Sequence, residues 1–179
     1  MKRSHLIREI VETIALTLII FLVIHFAVQS YRVEGTSMNP GLIDNEYVLV
    51  NKVAFLFHQP ERGDVIVFHA PKDPGRDYIK RVIGLPGDTI LVTSTTVTVN
   101  GDVLKEPYIS TAANPTANSW KVPQNQYFVL GDNRPTSDDS RDWGFVPKDY
   151  IVGQAVAVYW PLNNWQFIDT HPSVYTSIK

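Results

Sequence analysis

The apolar positions change period once along the chain. Residues 10–28 read IVETIALTLIIFLVIHFAV, and as a helix these roughly 19 residues, rising about 1.5 Å each, would span roughly 28 Å. That is close to the hydrocarbon thickness of a bilayer, so residues 10–29 are predicted to form a transmembrane anchor. Glu12 and His25 lie near its two ends, where polar side chains can reach the interface. Lys2, Arg3 and Arg8 precede the stretch and only Arg32 follows closely. Cations gather on the cytoplasmic side of a span, which puts residues 1–9 in the cytoplasm and residues 30–179 outside. A cleaved signal peptide is the nearest alternative, but the apolar stretch is too long for one and no Ala-x-Ala site follows it. A buried helix of a soluble protein is the other.

Beyond residue 30 the runs shorten and become rich in β-branched and aromatic residues, at 47–50, 64–68, 89–92, 95–99, 127–130 and 151–159. Turn residues punctuate them, and Asn100-Gly101 between Val97-Thr98-Val99 and Val103-Leu104 is a hairpin signal. The fold class predicted is therefore mainly β: an N-terminal transmembrane helix followed by an antiparallel β-sheet domain. The polar stretch 110–119 interrupts the strands as a surface loop, which makes residues 89–125 a small β insertion. Nothing after residue 28 is long and apolar enough for a second span. Residues 53–57, Trp120 and Trp165 are expected to pack in the core; the alternative is a surface that dips into the outer leaflet.

Composition then removes several function classes. A chain of 179 residues, 44% hydrophobic and 19% charged, folds and does not stay disordered. Its formal charge of −2 supplies no positive field for nucleic acid. The absence of cysteine excludes disulfides, thiolate catalysis and cysteine-bound zinc, and it fits either a reducing cytosol or a bacterial exterior. His5, His25, His58, His69 and His171 show no metal-ligand spacing and no Gly-rich phosphate loop occurs, so no metal and no cofactor are expected.

The chemistry rests on two short segments. Gly35-Thr36-Ser37-Met38-Asn39-Pro40 follows the helix, and Tyr78-Ile79-Lys80-Arg81-Val82-Ile83-Gly84 reads as a strand. A serine hydroxyl needs a base, and a lysine becomes one only when burial disfavours its ammonium. Strand alternation directs Lys80 to the face of Tyr78 and Val82, with Arg81 opposite. Ser37 and Lys80 are thus candidates for a Ser–Lys hydrolase; taken singly, a turn serine and a solvated strand lysine are the commoner readings. Even a fully extended linker at about 3.5 Å per residue keeps Ser37 within roughly 30 Å of the bilayer. Residues 131–147 form a third segment dense in hydrogen-bonding groups, either an ordered loop supporting a site or a solvated acidic turn.

Together these segments, with 37–42, 47–52 and 63–68 between them, resemble the type I signal peptidase family in composition and order. The resemblance implies Ser37 as nucleophile and Lys80 as general base. It implies further that Ser137 hydrogen-bonds the lysine, that Asp139 and Arg141 form an ion pair near the site, and that Asp132, Asn133 and Arg134 are supporting. The Ser37 amide would be one oxyanion donor. Some members add a serine hydroxyl two residues earlier; this chain has Gly35 there, leaving a backbone amide or water as second donor. The resemblance also implies substrates that are secreted preproteins with signal peptides, cut after small residues in an Ala-x-Ala pattern. Val33, Tyr78 and Ile79 would line a shallow apolar pocket, and the expected partners are membrane lipids and the export translocon. Length and the single span look like the compact form found in Gram-positive bacteria. Two other classes stay open: a self-cleaving Ser–Lys protease, and a non-enzymatic anchored β-domain binding a secretion or wall partner.

Overall fold

The computed structural model describes residues 2–112, 114 and 117–178. The chain begins with α1 (Lys2–Ala27) and passes without a linker into β1 (Val28–Arg32). Then follow β2 (Tyr47–Asn51), α2 (Ala54–Phe57), β3 (Val65–Ala70), β4 (Asp73–Gly84), β5 (Thr89–Val92), β6 (Val97–Val99) and β7 (Asp102–Val103). β8 (Asn118–Lys121), β9 (Gln126–Leu130), α3 (Ser140–Trp143), β10 (Val146–Pro147), β11 (Ile151–Trp160), β12 (Gln166–Phe167) and α4 (Pro172–Tyr175) complete it.

α1 carries a 21-residue apolar stretch, Ile7–Ala27, with mean hydropathy 2.4 and none of it buried. A helix this apolar with no protein packed against it is long and apolar enough to cross a membrane. Arg8 reaches Glu12 one turn on at 3.2 Å, and the Thr13 and Thr17 hydroxyls donate to carbonyls of the preceding turn, so these four polar side chains find partners within the helix. The helix ends two residues before the end of the predicted segment 10–29: Val28 is already paired with Asn51 in the sheet.

The main sheet runs β1-β2-β11-β3-β4-β9-β10, with β12 added on β11, and every pairing is antiparallel. β5 to β8 form a separate four-stranded sheet in the order β7-β6-β5-β8. Its β6–β7 hairpin turns at Asn100 and Gly101, both with positive φ, as the Asn-Gly signal requires. The sheets share a core: Ile83, Phe128 and Leu130 of the large sheet pack with Ile90, Val92, Val97 and Val99 of the small one. The joint is fixed by Asp88, which accepts from Arg62 Nε and Nη2, the Leu85 amide and the Asn100 side chain.

Alternation along β3 and β2 divides the rest of the core. Val48, Val50, Val65 and Val67 lie in one cluster with Val33, Met38 and Leu42, while Ile66 and Phe68 face another with Val82, Tyr127 and Val129. The first cluster roots the loop that carries Ser37. Core packing, expected for residues 53–57, holds for Ala54 but not for Leu56 and Phe57, which are exposed; Trp165 is exposed as well. Trp120 does pack, against the small-sheet core.

Candidate active site

Residues 35–40 turn over a hydrophobic anchor. Met38 and Leu42, each 1% exposed, sit in the core on either side of the turn. The Leu42 amide donates to the Met38 carbonyl at 2.9 Å. Asn133 clamps the turn from the facing loop: its amide donates to the Ser37 carbonyl at 3.0 Å and its side chain to the Thr36 carbonyl at 3.0 Å. The Ser37 hydroxyl is thereby held at the edge of a cleft, and the Ser37 amide has no hydrogen-bond partner among the described residues.

Lys80 meets it from β4. Its Nζ donates to Ser37 Oγ at 2.7 Å and to the Ile79 carbonyl at 3.1 Å, and it lies 5.5 Å from the centre of the Tyr78 ring. Lys80 is 4% exposed, and this burial brings its pKa down to about 8, against the opposing pull of the Asp139, Asp138 and Asp132 carboxylates. Burial outweighs them because removing an ammonium from water is costly and these charges stabilise it only in part. The result is an amine with a substantial neutral fraction near pH 8, in contact with a hydroxyl.

Behind this pair lies a layer of buried ion pairs. Arg81, on the opposite side of β4 as strand alternation predicts, makes a bidentate contact with Asp132 at 2.9 and 2.8 Å. Arg141 holds Asp139 likewise through Nε and Nη2, both at 2.8 Å. Asp139 also accepts from the Gly131 amide and caps α3. Arg134 pairs with Glu106, from the polypeptide between β7 and β8, and donates to the Gly131 carbonyl at 3.0 Å. Nothing in the sequence signalled Glu106 as a partner. The loop 131–141 is thus the ordered network, not the solvated turn.

The structure departs from the resemblance at Ser137. Its Oγ is buried with no hydrogen-bond partner, so it does not bond Lys80 here; Ser37 Oγ and the Ile79 carbonyl take that contact instead. Gly35, with φ of 85°, gives its amide to Asp44 Oδ1 at 2.7 Å, so that amide is engaged and unavailable to an oxyanion.

Ser37 and Lys80 open into a cleft of about 440 Å³ whose lining includes Val33, Tyr78 and Ile79 together with Tyr31, Val48 and Val67, and also the polar Arg32, Glu34, Asp77 and Asp138. At its far end Tyr31 is pushed up to about 12, mainly by burial and then by Asp77, which its hydroxyl faces. His69 Nδ1 lies 2.7 Å from the same carboxylate. Sequence reading missed both Tyr31 and Asp77. Asp77 lies in the same strand three residues before Lys80, but only the curl of the sheet brings β1 opposite it.

The structure is an antiparallel β-domain on an apolar helix, with the half-buried Ser37 hydroxyl and the buried Lys80 amine in contact at one edge of an open cleft. The family model "Signal peptidase, peptidase S26" matches residues 6–160, and the chain belongs to that family and is a hydrolase of peptide bonds. It is 39% identical over 173 residues to a signal peptidase I of Leptolyngbya laminosa, covering 92% of this chain and 85% of that one. It is 36% identical over 185 residues to signal peptidase IB of Staphylococcus aureus strain MRSA252, covering 92% and 95%. A crystal structure of a signal peptidase I from Enterococcus faecalis V583 superposes with a TM-score of 0.50 at 37% identity, over 54% of this chain and 96% of that one. Membership in a peptidase family sets aside the non-enzymatic β-domain.

Gly131 offers a local check on the site. A Cβ there would fall 2.2 Å from Ser137 Oγ and 2.4 Å from the Ser37 carbonyl, so Gly131→Ala must push the Ser37 turn outward. Misplacement by about 1 Å costs on the order of 10²-fold in rate. Peptide cleavage by Gly131→Ala is expected to fall by about that factor. An unchanged kcat/KM in steady-state assays would show that the turn adjusts freely.

Proposed function

We propose that this chain removes signal peptides from exported preproteins, with Ser37 as nucleophile and Lys80 as general base and acid. The observation that carries the reading is the 2.7 Å contact between Lys80 Nζ and Ser37 Oγ, made by a lysine whose pKa burial lowers to about 8. The neutral amine takes the hydroxyl proton as Oγ attacks the scissile carbonyl. The Ser37 amide donates to the developing oxyanion, a contribution worth about 3 kcal/mol per donor in a comparable protease. The Lys80 ammonium then protonates the departing amine. A water deprotonated by Lys80 hydrolyses the acyl ester and frees Ser37. Ser137 Oγ, buried beside Gly131 and unpaired, is placed in this scheme as an acceptor for the lysine once Ser37 is acylated. Asp139 and Arg141 hold the loop.

The preprotein lies extended along the cleft, with backbone hydrogen bonds giving affinity and small side chains facing Val33, Tyr78 and Ile79. This supports cutting after Ala-x-Ala. Residues 1–9 face the cytoplasm, residues 10–29 cross the membrane once, and residues 30–179 form the external catalytic part, with 89–125 as a small insertion. The export translocon would deliver the substrates. The test is to incubate the detergent-purified protein with an Ala-x-Ala preprotein and with the same preprotein carrying Phe in place of the second Ala, and to sequence the new N-terminus. Cleavage after the second Ala, lost with Phe, is expected. Equal cutting of both, or cutting elsewhere, would refute the specificity.

A further inference from the structure

Five charged side chains line the cleft, Arg32, Glu34, Asp77, Lys80 and Asp138, and three of them are engaged. Arg32 donates to the Asn45 side chain, Asp77 lies 2.7 Å from His69 Nδ1, and Lys80 donates to Ser37. Glu34 and Asp138 have no hydrogen-bond or ion-pair partner among the described residues. Asp138 is turned into the cleft by its neighbours. Ser137 and Asp139 are buried, at 6% and 0% exposure, Ser137 against Gly131 and Asp139 on Arg141. The backbone at Asp139 is extended, and successive side chains of an extended chain turn to opposite sides, so Asp138 faces outward between two buried residues. The arginines nearby are already matched, Arg81 to Asp132, Arg134 to Glu106 and Arg141 to Asp139. The Lys80 pKa, lowered by burial, is pulled back by Asp139, Asp138 and Asp132, and of these three only Asp138 lacks an arginine. An uncompensated carboxylate therefore stands at the rim, close enough for the dyad to feel its charge.

Its side of the dyad follows from the two walls. Tyr31 and Asp77 close one end of the cleft, three strand residues or about 10 Å from Lys80 along β4. Thr136 and Asp138 are the cleft-lining residues of the loop 131–141, whose Asn133 clamps the Ser37 turn. A substrate extended from Tyr31 over Val33, Tyr78 and Ile79 to Ser37 passes Thr136 and Asp138 with its first residues after the cut. We propose that Asp138 determines specificity on this departing side: it favours lysine or arginine, and rejects aspartate or glutamate, at the first or second residue after the cut bond. The proposal rests on the peptidase reading above and deepens it, because Val33, Tyr78 and Ile79 carry no charge with which to read the substrate. Like charges brought together at a binding rim are discriminated against as effectively as opposite charges are drawn in. Exposed pairs are individually weak, which makes the selection several-fold and salt-sensitive. Glu34, the other unpaired carboxylate, stands three residues before Ser37 on the opposite wall, alongside the residues that precede the cut.

The test uses the detergent-purified full chain and peptides that share one Ala-x-Ala sequence and carry Lys, Gln or Glu at the first or the second residue after it. At low ionic strength the native protein is expected to show a kcat/KM about five-fold higher for Lys than for Glu at one of these positions, with Gln between. Salt at about 1 M, where the Debye length falls to about 3 Å, should narrow the difference. In Asp138→Asn the Lys-to-Glu ratio is expected to fall to about one, and in Asp138→Lys to invert. Each ratio is taken within one variant, so a general loss of rate or a change at Lys80 cancels. Glu34→Gln should keep the native ratio. A native ratio near one at both positions overturns the proposal, as does a ratio that survives Asp138→Asn or collapses in Glu34→Gln. Failure to cut any peptide after the second Ala would instead overturn the peptidase reading on which it rests.

Discussion

Lys80→Met is expected to lower kcat for preprotein cleavage by about 10⁴-fold, the loss seen when a hydrolase loses its base, while leaving the protein folded and more heat-stable near neutral pH. Methionine fills nearly the volume of the lysine stem without its charge. Ser37→Ala should lose activity to the same extent, because nucleophile and base act as one unit. A folded Lys80→Met protein with native turnover would remove Lys80 from the mechanism.

The stability gain follows from the burial of Lys80. A pKa lowered from 10.5 to about 8 corresponds to on the order of 3 kcal/mol of preference for the neutral amine. The unfolded chain keeps its lysine proton up to about pH 10.5, whereas the folded chain releases it near pH 8. Between those values the unfolded state binds more protons, so stability rises with pH across that window. At pH 7 the native protein bears the whole penalty of a buried ammonium, and Lys80→Met removes it at the expense of one hydrogen bond to Ser37. Thermal unfolding at pH 7 should show a Tm higher by several degrees. The same titration governs rate: native kcat/KM should climb to a plateau with an apparent pKa of about 8. A rate flat from pH 6 to 10 would mean that Lys80 does not titrate as the base.

What the sequence disclosed and what it hid divide along physical lines. Ser37 and Lys80 were singled out because each sits in a short motif with a chemical rationale, and the fold brings the two into contact; the long apolar helix and the Val-rich strands announced themselves by period. β1 was hidden because Val28 continues the apolar helix without a turn, and its role became visible only through pairing with Asn51. β8 was hidden because its four residues, mostly exposed, form a polar edge of the small sheet. Arg81–Asp132 and Arg134–Glu106 join residues far apart in the chain, and no periodicity encodes such a pairing. Leu56 and Phe57 misled because an apolar run implies burial in water, whereas only Ala54 and Phe55 of this run pack on the sheet and the next two side chains are exposed.

Arg141→Ala should be the most damaging substitution outside the Ser–Lys pair. It leaves Asp139, whose side chain is fully buried, without its cation. Breaking a buried pair from one side costs about 3–5 kcal/mol, which for a chain of this size lowers Tm by about 10 °C. Arg141 also donates to the Arg134 carbonyl at 2.7 Å, and Asp139 accepts from the Gly131 amide at 3.1 Å, so the loss propagates along the loop that carries Asn133 and Ser137. Catalysis should fall with it, because Asn133 is what clamps the Ser37 turn. If the pair acts through rigidity and not by touching substrate, removing both charges should harm less than the two single changes summed. Thermal unfolding of Arg141→Ala, Asp139→Asn and the double variant measures that coupling directly. A Tm for Arg141→Ala within about 2 °C of native, a shift worth only about 1 kcal/mol, would show that water or a neighbouring cation replaces the guanidinium, and that the loop holds its shape without the pair.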